Sequence, residues 1–186
     1  MSVFEFRRLA DDDMPALVRW MAAEHAQPWF GDEPRTVDKA RRSYARQLAG
    51  TSATRMWVVV LDGRDIGYVQ DYPVAAYDDY AVRVQDPQAI AFDYLIGEPD
   101  LIDRGLGTQM ITAYCRDVLC RDYPDAPRFV ASPDVRNARS IRMLEKCGFV
   151  RGLWIQPESV KHPEVVCTAS RSLFEPTEVS RGTDSS

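Results

Sequence analysis

The six residues Asp103-Arg104-Gly105-Leu106-Gly107-Thr108 stand between an apolar run, Ala89-Ile90-Ala91-Phe92-Asp93-Tyr94-Leu95-Ile96, and a helical stripe of Leu106, Met110, Ile111, Tyr114 and Val118. A strand that enters a helix through glycines aims the first free amide N–H groups, and the positive end of the helix dipole, at one small space suited to phosphate. Gly105 and Gly107 let the backbone come close to a ligand, Arg104 adds positive charge and Thr108 offers a hydroxyl. Taken alone, the same spacing also makes a plain tight turn. It is neither of two common nucleotide loops: a dinucleotide fingerprint needs a further glycine where Met110 stands, and a P-loop needs Gly-Lys-Ser/Thr.

Working outward, the alternation from Val3 to Leu9 predicts a first strand, and Asp11-Asp12-Asp13 before Met14-Pro15 predicts a helix start, with the helix running to about His25. Gln27 to Pro34, with two prolines around Trp29-Phe30-Gly31, reads as a loop. Thr36 caps a second helix ending near Leu48. Met56 to Leu61, the turn Asp62-Gly63 and Ile66 to Gln70 read as a hairpin. Tyr77-Asp78-Asp79-Tyr80 reads as irregular, and the strand from Ala89 to Ile96 follows it. Past the glycine loop come a helix to about Arg121, a strand Arg128 to Ala131, a helix Asn137 to Cys147 closed by Gly148, and strands over Phe149 to Gln156 and Val165 to Leu173. This order predicts an α+β fold, a mixed and mostly antiparallel central sheet flanked by helices. Residues 1–174 are expected to form a single domain, and the polar stretch 175–186 a disordered tail.

The 186 residues are 45% hydrophobic and 27% charged, with a formal net charge of -5. That balance argues against a nucleic-acid partner and suits a cationic small molecule. No apolar run reaches membrane-spanning length and the first residues do not form a signal pattern, so a cytoplasmic protein with no membrane partner is expected. Cys115, Cys120, Cys147 and Cys167 lack metal-site spacing; they read as reduced packing thiols, and no metal is predicted.

Two motifs carry a family resemblance. The loop resembles the Gln/Arg-x-x-Gly-x-Gly/Ala acetyl-CoA motif of the GNAT acetyltransferases, with Ile102 at its first position. Asn137-Ala138-Arg139-Ser140-Ile141-Arg142-Met143-Leu144-Glu145-Lys146-Cys147-Gly148-Phe149 resembles the superfamily's second signature. Within it, the chain looks most like the aminoglycoside 6'-N-acetyltransferases. Trp29-Phe30-Gly31 followed by acids, Gly67-Tyr68-Val69-Gln70-Asp71-Tyr72, and Asp86-Pro87 ahead of Asp93 carry this likeness from about Trp29 through Phe174.

The resemblance implies a GNAT-type fold, acetyl-CoA as co-substrate, and a polycationic amine as acceptor, in a monomer or homodimer. It implies that Asp93 holds and deprotonates the amine, as befits a lone carboxylate in an apolar strand. Main-chain N–H groups of Tyr94, Leu95 and Ile96 would line the cofactor arm. Arg104, Gly105, Leu106, Gly107, Thr108, Asn137 and Ser140 would bind the rest of it. Trp29, Asp78, Asp79, Tyr80, Asp134 and Glu158 fall at substrate positions, although Trp29 also suits a core anchor and the acids a solvated surface. Two departures stand out. Leu144 occupies the place of the tyrosine that protonates the departing thiolate in many members, and Ser132 that of an acid, for which Asp134 is the nearest substitute. A siderophore-type or polyamine acyltransferase, or a catalytically silent acyl-CoA-binding module, are the alternatives.

Overall fold

The computed structural model describes residues 3–30, 33–158 and 161–175. Asp62 and Gly63 both take left-handed backbone (φ 50° and 82°), the conformation a two-residue hairpin turn needs, and join β2 (Arg55–Leu61) to β3 (Arg64–Pro73). Around this hairpin a seven-stranded sheet assembles in the order β1 (Phe4–Arg8), β2, β3, β4 (Ile90–Ile96), β5 (Arg128–Ala131), β7 (Glu164–Ser170), β6 (Val150–Ile155). All neighbours are antiparallel except β4 and β5.

The parallel pair is the weak seam. Among the described residues, only Ile90 with Phe129 and Ala91 with Val130 are in register, and from Phe92 onward β4 has no strand partner on that side. The strand's free groups can be placed by parity. Ala89 accepts a bond from the Val74 N–H and the Gly97 N–H donates to Ile66, so the backbone of odd-numbered positions faces β3. The N–H groups of Tyr94 and Ile96 therefore point into the gap between β4 and β5, whereas that of Leu95 is turned to β3. Leu95 contributes instead a buried side chain.

Period-two alternation sends side chains to opposite faces. Ile90 and Phe92 enter the larger core under α5 (Leu106–Tyr114) and α7 (Ala138–Lys146), with Tyr94 and Ile96 packed against it. Ala91 and Leu95 belong to the opposite face, Leu95 under α1 (Met14–Ala22) and α2 (Val37–Ser43) and Ala91 beside α4 (Asp78–Val84). The chain after α2 makes one more short turn, α3 (Ala45–Leu48).

Local chemistry accounts for the helix ends. Thr36 accepts a bond from the Lys39 N–H at the start of α2, and Asn137 accepts one from Ser140 N–H, at 3.1 Å, at the start of α7. Gly148 (φ 91°) ends α7. The helix expected to run unbroken to Arg121 is α-helical to Tyr114, passes through a π turn over Cys115–Leu119 and finishes as α6 (Cys120–Asp122). There Asp71, fully buried, accepts bonds from Arg55 (2.8 Å), Trp57 (2.7 Å), Tyr123 (2.5 Å) and the Tyr114 hydroxyl. That carboxylate ties β2, β3 and the end of the long helix together.

The irregular reading of Tyr77-Asp78-Asp79-Tyr80 is corrected: Asp78–Val84 is a helix. Its acidic first turn favours the helix dipole, Asp79 pairs with Arg83 one turn on (2.7 Å), and Gln85 ends it in left-handed backbone. Gly31, the acid Asp32 and the tail beyond Glu175 lie outside the described residues. Among the described residues, no helix is long and apolar enough to cross a membrane.

Candidate active site

The glycine loop and the Asn137 helix meet. Asp103 (φ 61°) and Gly105 (φ 74°) both turn left-handed to swing the chain into α5, and Asp103 is bonded to Arg139 of α7 at 3.0 Å. Gly105 is exposed with nothing within 4 Å of where a Cβ would stand, so its side of the loop is open to a ligand. Among the described residues, no side chain caps the first turn of α5, which leaves its leading N–H groups aimed outward. Gly107 also serves the packing of two helices. A Cβ there would stand 3.3 Å from Cγ of Met143, so this glycine lets α5 and α7 pack closely. Arg104 is exposed and only loosely bonded to the Asp100 carbonyl (3.5 Å), which leaves its charge beside the loop. Leu106 is buried and anchors the loop to the core.

On the opposite face of the sheet, Asp93 lies across from Gln70, whose amide donates to it at 2.8 Å. Asp93 keeps some exposed surface while being surrounded by protein on nearly every side. Burial raises its pKa above the usual carboxylate range, the bond from Gln70 opposes that rise, and Glu33 adds to it. A short wall of rings stands next to it: Tyr72 packs edge-on against Tyr77 and Tyr80, and the Tyr80 hydroxyl is 2.7 Å from that of Ser132.

Glu164 was not singled out from the sequence. It opens β7 and bridges to Asp134, bringing a second carboxyl into the electrostatic reach of Asp93. Burial first, then Asp93 and Asp134, push the Glu164 carboxyl up to about 8. Its only sequence signal was an acid at the start of an otherwise apolar strand.

The other expected acceptor residues divide. Asp134 is half-buried and held by the backbone and guanidinium of Arg136, which keep its pKa below the usual range. Arg136 in turn lies 6.0 Å from the ring of Trp29, which is 38% exposed and so not a core anchor. Asp78 and Asp79 are exposed at the start of α4; Asp79 is already paired with Arg83, which also comes within 3.9 Å of the exposed Glu158.

Two shallow concavities, of about 440 and 310 Å³, lie elsewhere, one beside α2 around Glu33 and Lys39 and one around Tyr123 after α6. Neither contains Asp93.

Residues 10–156 match the family described as Acetyltransferase (GNAT) domain. The chain belongs to the GNAT acetyltransferases. This GNAT chain is 27% identical over 175 residues to the aminoglycoside N(6')-acetyltransferase type 1 of Klebsiella pneumoniae, covering 92% of itself and 85% of the relative, with the same figures for that of Serratia marcescens. Among solved structures it is similar to AAC(6')-Ib in complex with ribostamycin and coenzyme A, with a TM-score of 0.81, 26% identity, and coverage of 97% and 98%. It is also similar to an aminoglycoside acetyltransferase AAC(6')-Ib in complex with coenzyme A, with a TM-score of 0.80, 25% identity, and coverage of 92% and 97%.

As a GNAT acetyltransferase the protein uses acetyl-CoA as co-substrate. The geometry fits that molecule. The uncapped start of α5 suits its pyrophosphate, and the gap beside β4, lined by the N–H groups of Tyr94 and Ile96, suits an extended amide-bearing arm.

Proposed function

We propose that this enzyme acetylates the 6'-amine of an aminoglycoside or a closely similar polycationic amine. The carrying observation is that the bridge to Asp134 sets the buried Glu164 carboxyl within electrostatic reach of Asp93, which Glu33 also reaches. Carboxyls raised by burial and by a neighbouring acid, as those of Asp93 and Glu164 are, are relieved by a bound cation, and an acceptor with several ammonium groups can satisfy more than one at once. The aminoglycoside acetyltransferases similar to this chain support the same acceptor class.

The residues then divide the work by face. Leading N–H groups of α5, with Arg104 and Thr108, hold the pyrophosphate; Asn137 and Ser140 border the path of the arm. The Tyr94 and Ile96 N–H groups stand where negative charge develops on the thioester oxygen. On the acceptor face Asp93 takes a proton from the ammonium so that its nitrogen can attack, and its raised pKa suits a base of this kind. Glu164, Asp134 and the ring of Tyr80 hold the rest of the acceptor, with Trp29 at the rim. Asp78, Asp79 and Glu158 supply a long-range acidic field rather than direct contacts.

The reading also takes residues 1–174 as one catalytic unit acting in the cytoplasm, where acetyl-CoA is made, as a monomer or homodimer. Thiol release from acetyl-CoA is the test. Kanamycin- and tobramycin-type acceptors are expected to drive it, and Asp93→Asn to abolish it while coenzyme A still binds. Absence of release with every aminoglycoside, alongside release with a monoamine or a hydroxylamine, would replace this acceptor assignment.

A further inference from the structure

The leaving thiolate needs a proton, and Leu144, fully buried, cannot give one. A helical side chain leans back over the turn before its own Cα, so position 144 covers the turn that contains Ser140. A hydroxyl already occupies that turn from across the seam. Tyr94 reaches from β4 to α7, and its hydroxyl lies 2.5 Å from the Ser140 hydroxyl. Tyr94 packs on the α5 and α7 face, the side of the loop that suits the pyrophosphate, with its ring 5.8 Å from that of Phe92.

From this placement, and resting on the acetyl-transfer reading above, we infer that the Tyr94 hydroxyl is the acid that protonates the departing thiolate. Asp93 and Tyr94 are consecutive on β4 and therefore point to opposite faces of the sheet. One takes a proton where the amine enters, and the other gives a proton where the sulfur leaves.

The step balances. The amine nitrogen bonds to the carbonyl carbon, and the C–S bond breaks with its electron pair going to sulfur. The sulfur takes the Tyr94 proton, and the phenolate is reprotonated from water through the Ser140 hydroxyl. The ammonium proton passes to Asp93 and then to solvent. Burial, the main influence on Tyr94, keeps its hydroxyl protonated throughout the working pH range, while Ser140 opposes that rise. The other titratable groups that bear on it are Cys147 just past the end of α7, Cys167 of β7 and Asp93 behind it, each of which also favours the neutral phenol.

Tyr94→Phe in the full chain tests the assignment by two readouts. With a turned-over aminoglycoside, kcat should fall about 100-fold, the low end for a lost general acid, while KM for acetyl-CoA changes less than threefold. Independently of turnover, the ultraviolet thiolate absorbance of bound coenzyme A should titrate at a pH about one unit higher in the variant, because a hydrogen-bond donor to the thiolate has gone. Calorimetric binding of coenzyme A confirms that the variant is folded. A variant with kcat within threefold of the wild type and an unmoved thiol titration would overturn the assignment. If the wild type acetylates no amine, the acceptor reading fails, and the thiol titration alone still decides for or against Tyr94.

Discussion

Glu164→Gln is expected to stabilise the protein increasingly as the pH rises from 4.5 to about 8. The carboxyl is pushed from 4.5 to about 8 by burial and by Asp93 and Asp134. Below 4.5 it is neutral in both folded and unfolded chains and contributes nothing. Between 4.5 and 8 the folded state holds a proton that the unfolded chain has released, so stability falls by about 1.4 kcal/mol per pH unit. Above 8 the accumulated cost reaches about 5 kcal/mol as an upper limit. Sharing with Asp93 and Asp134, together with local relaxation, should leave about 2–4 kcal/mol for the neutral amide to recover. For a chain of this size that is about 5–10 °C in melting temperature. The assay is thermal unfolding of both proteins at pH 4.5, 7 and 9, without substrate. The difference should be absent at pH 4.5 and largest at pH 9, and the stabilised variant should bind the acceptor more weakly. Equal melting at pH 9, or a gain independent of pH, would refute the reasoning, because Glu164 would then not be ionising against its neighbours.

Three further outcomes follow from the geometry. The acidic limb of kcat/KM should lie above the ordinary carboxylate range, since Asp93 must lose its proton to act and its pKa is raised; Gln70→Leu removes an opposing bond and should move that limb higher. Asp71→Asn should cost about 3–5 kcal/mol in denaturant unfolding, since it leaves the half-buried Arg55 without its buried counter-charge. Gly97→Ala should lower the melting temperature by an amount matching about 1–3 kcal/mol, because its Cβ would fall 2.0 Å from Cγ of Trp20, whose indole is held by Glu98.

The sheet was legible because its signals are local. Asp62-Gly63 admits one kind of hairpin, Thr36 and Asn137 cap the helices they precede, and an apolar run marks β4. The helix α4 was not, because seven residues opening on Asp-Asp-Tyr are too few to show a helical period. In the site, Asp93 could be read as a lone charge in an apolar strand. Glu164 could not, because its importance arises from register: only the bridge to Asp134 brings it toward Asp93. The packing of Gly107 against Met143 could not be read, because spacing alone does not show what a missing Cβ makes room for.

The alternation along β4 also limits how this chain can change in length. Losing or gaining one residue between Ala91 and Ile96 would exchange the faces of everything beyond it, turning the carboxylate toward the thiol side and the phenol toward the amine. No repacking of neighbours restores that arrangement. The turns between strands tolerate insertions because they carry no such parity. A library of single-residue deletions should therefore show this short strand as a sharply bounded interval of silence.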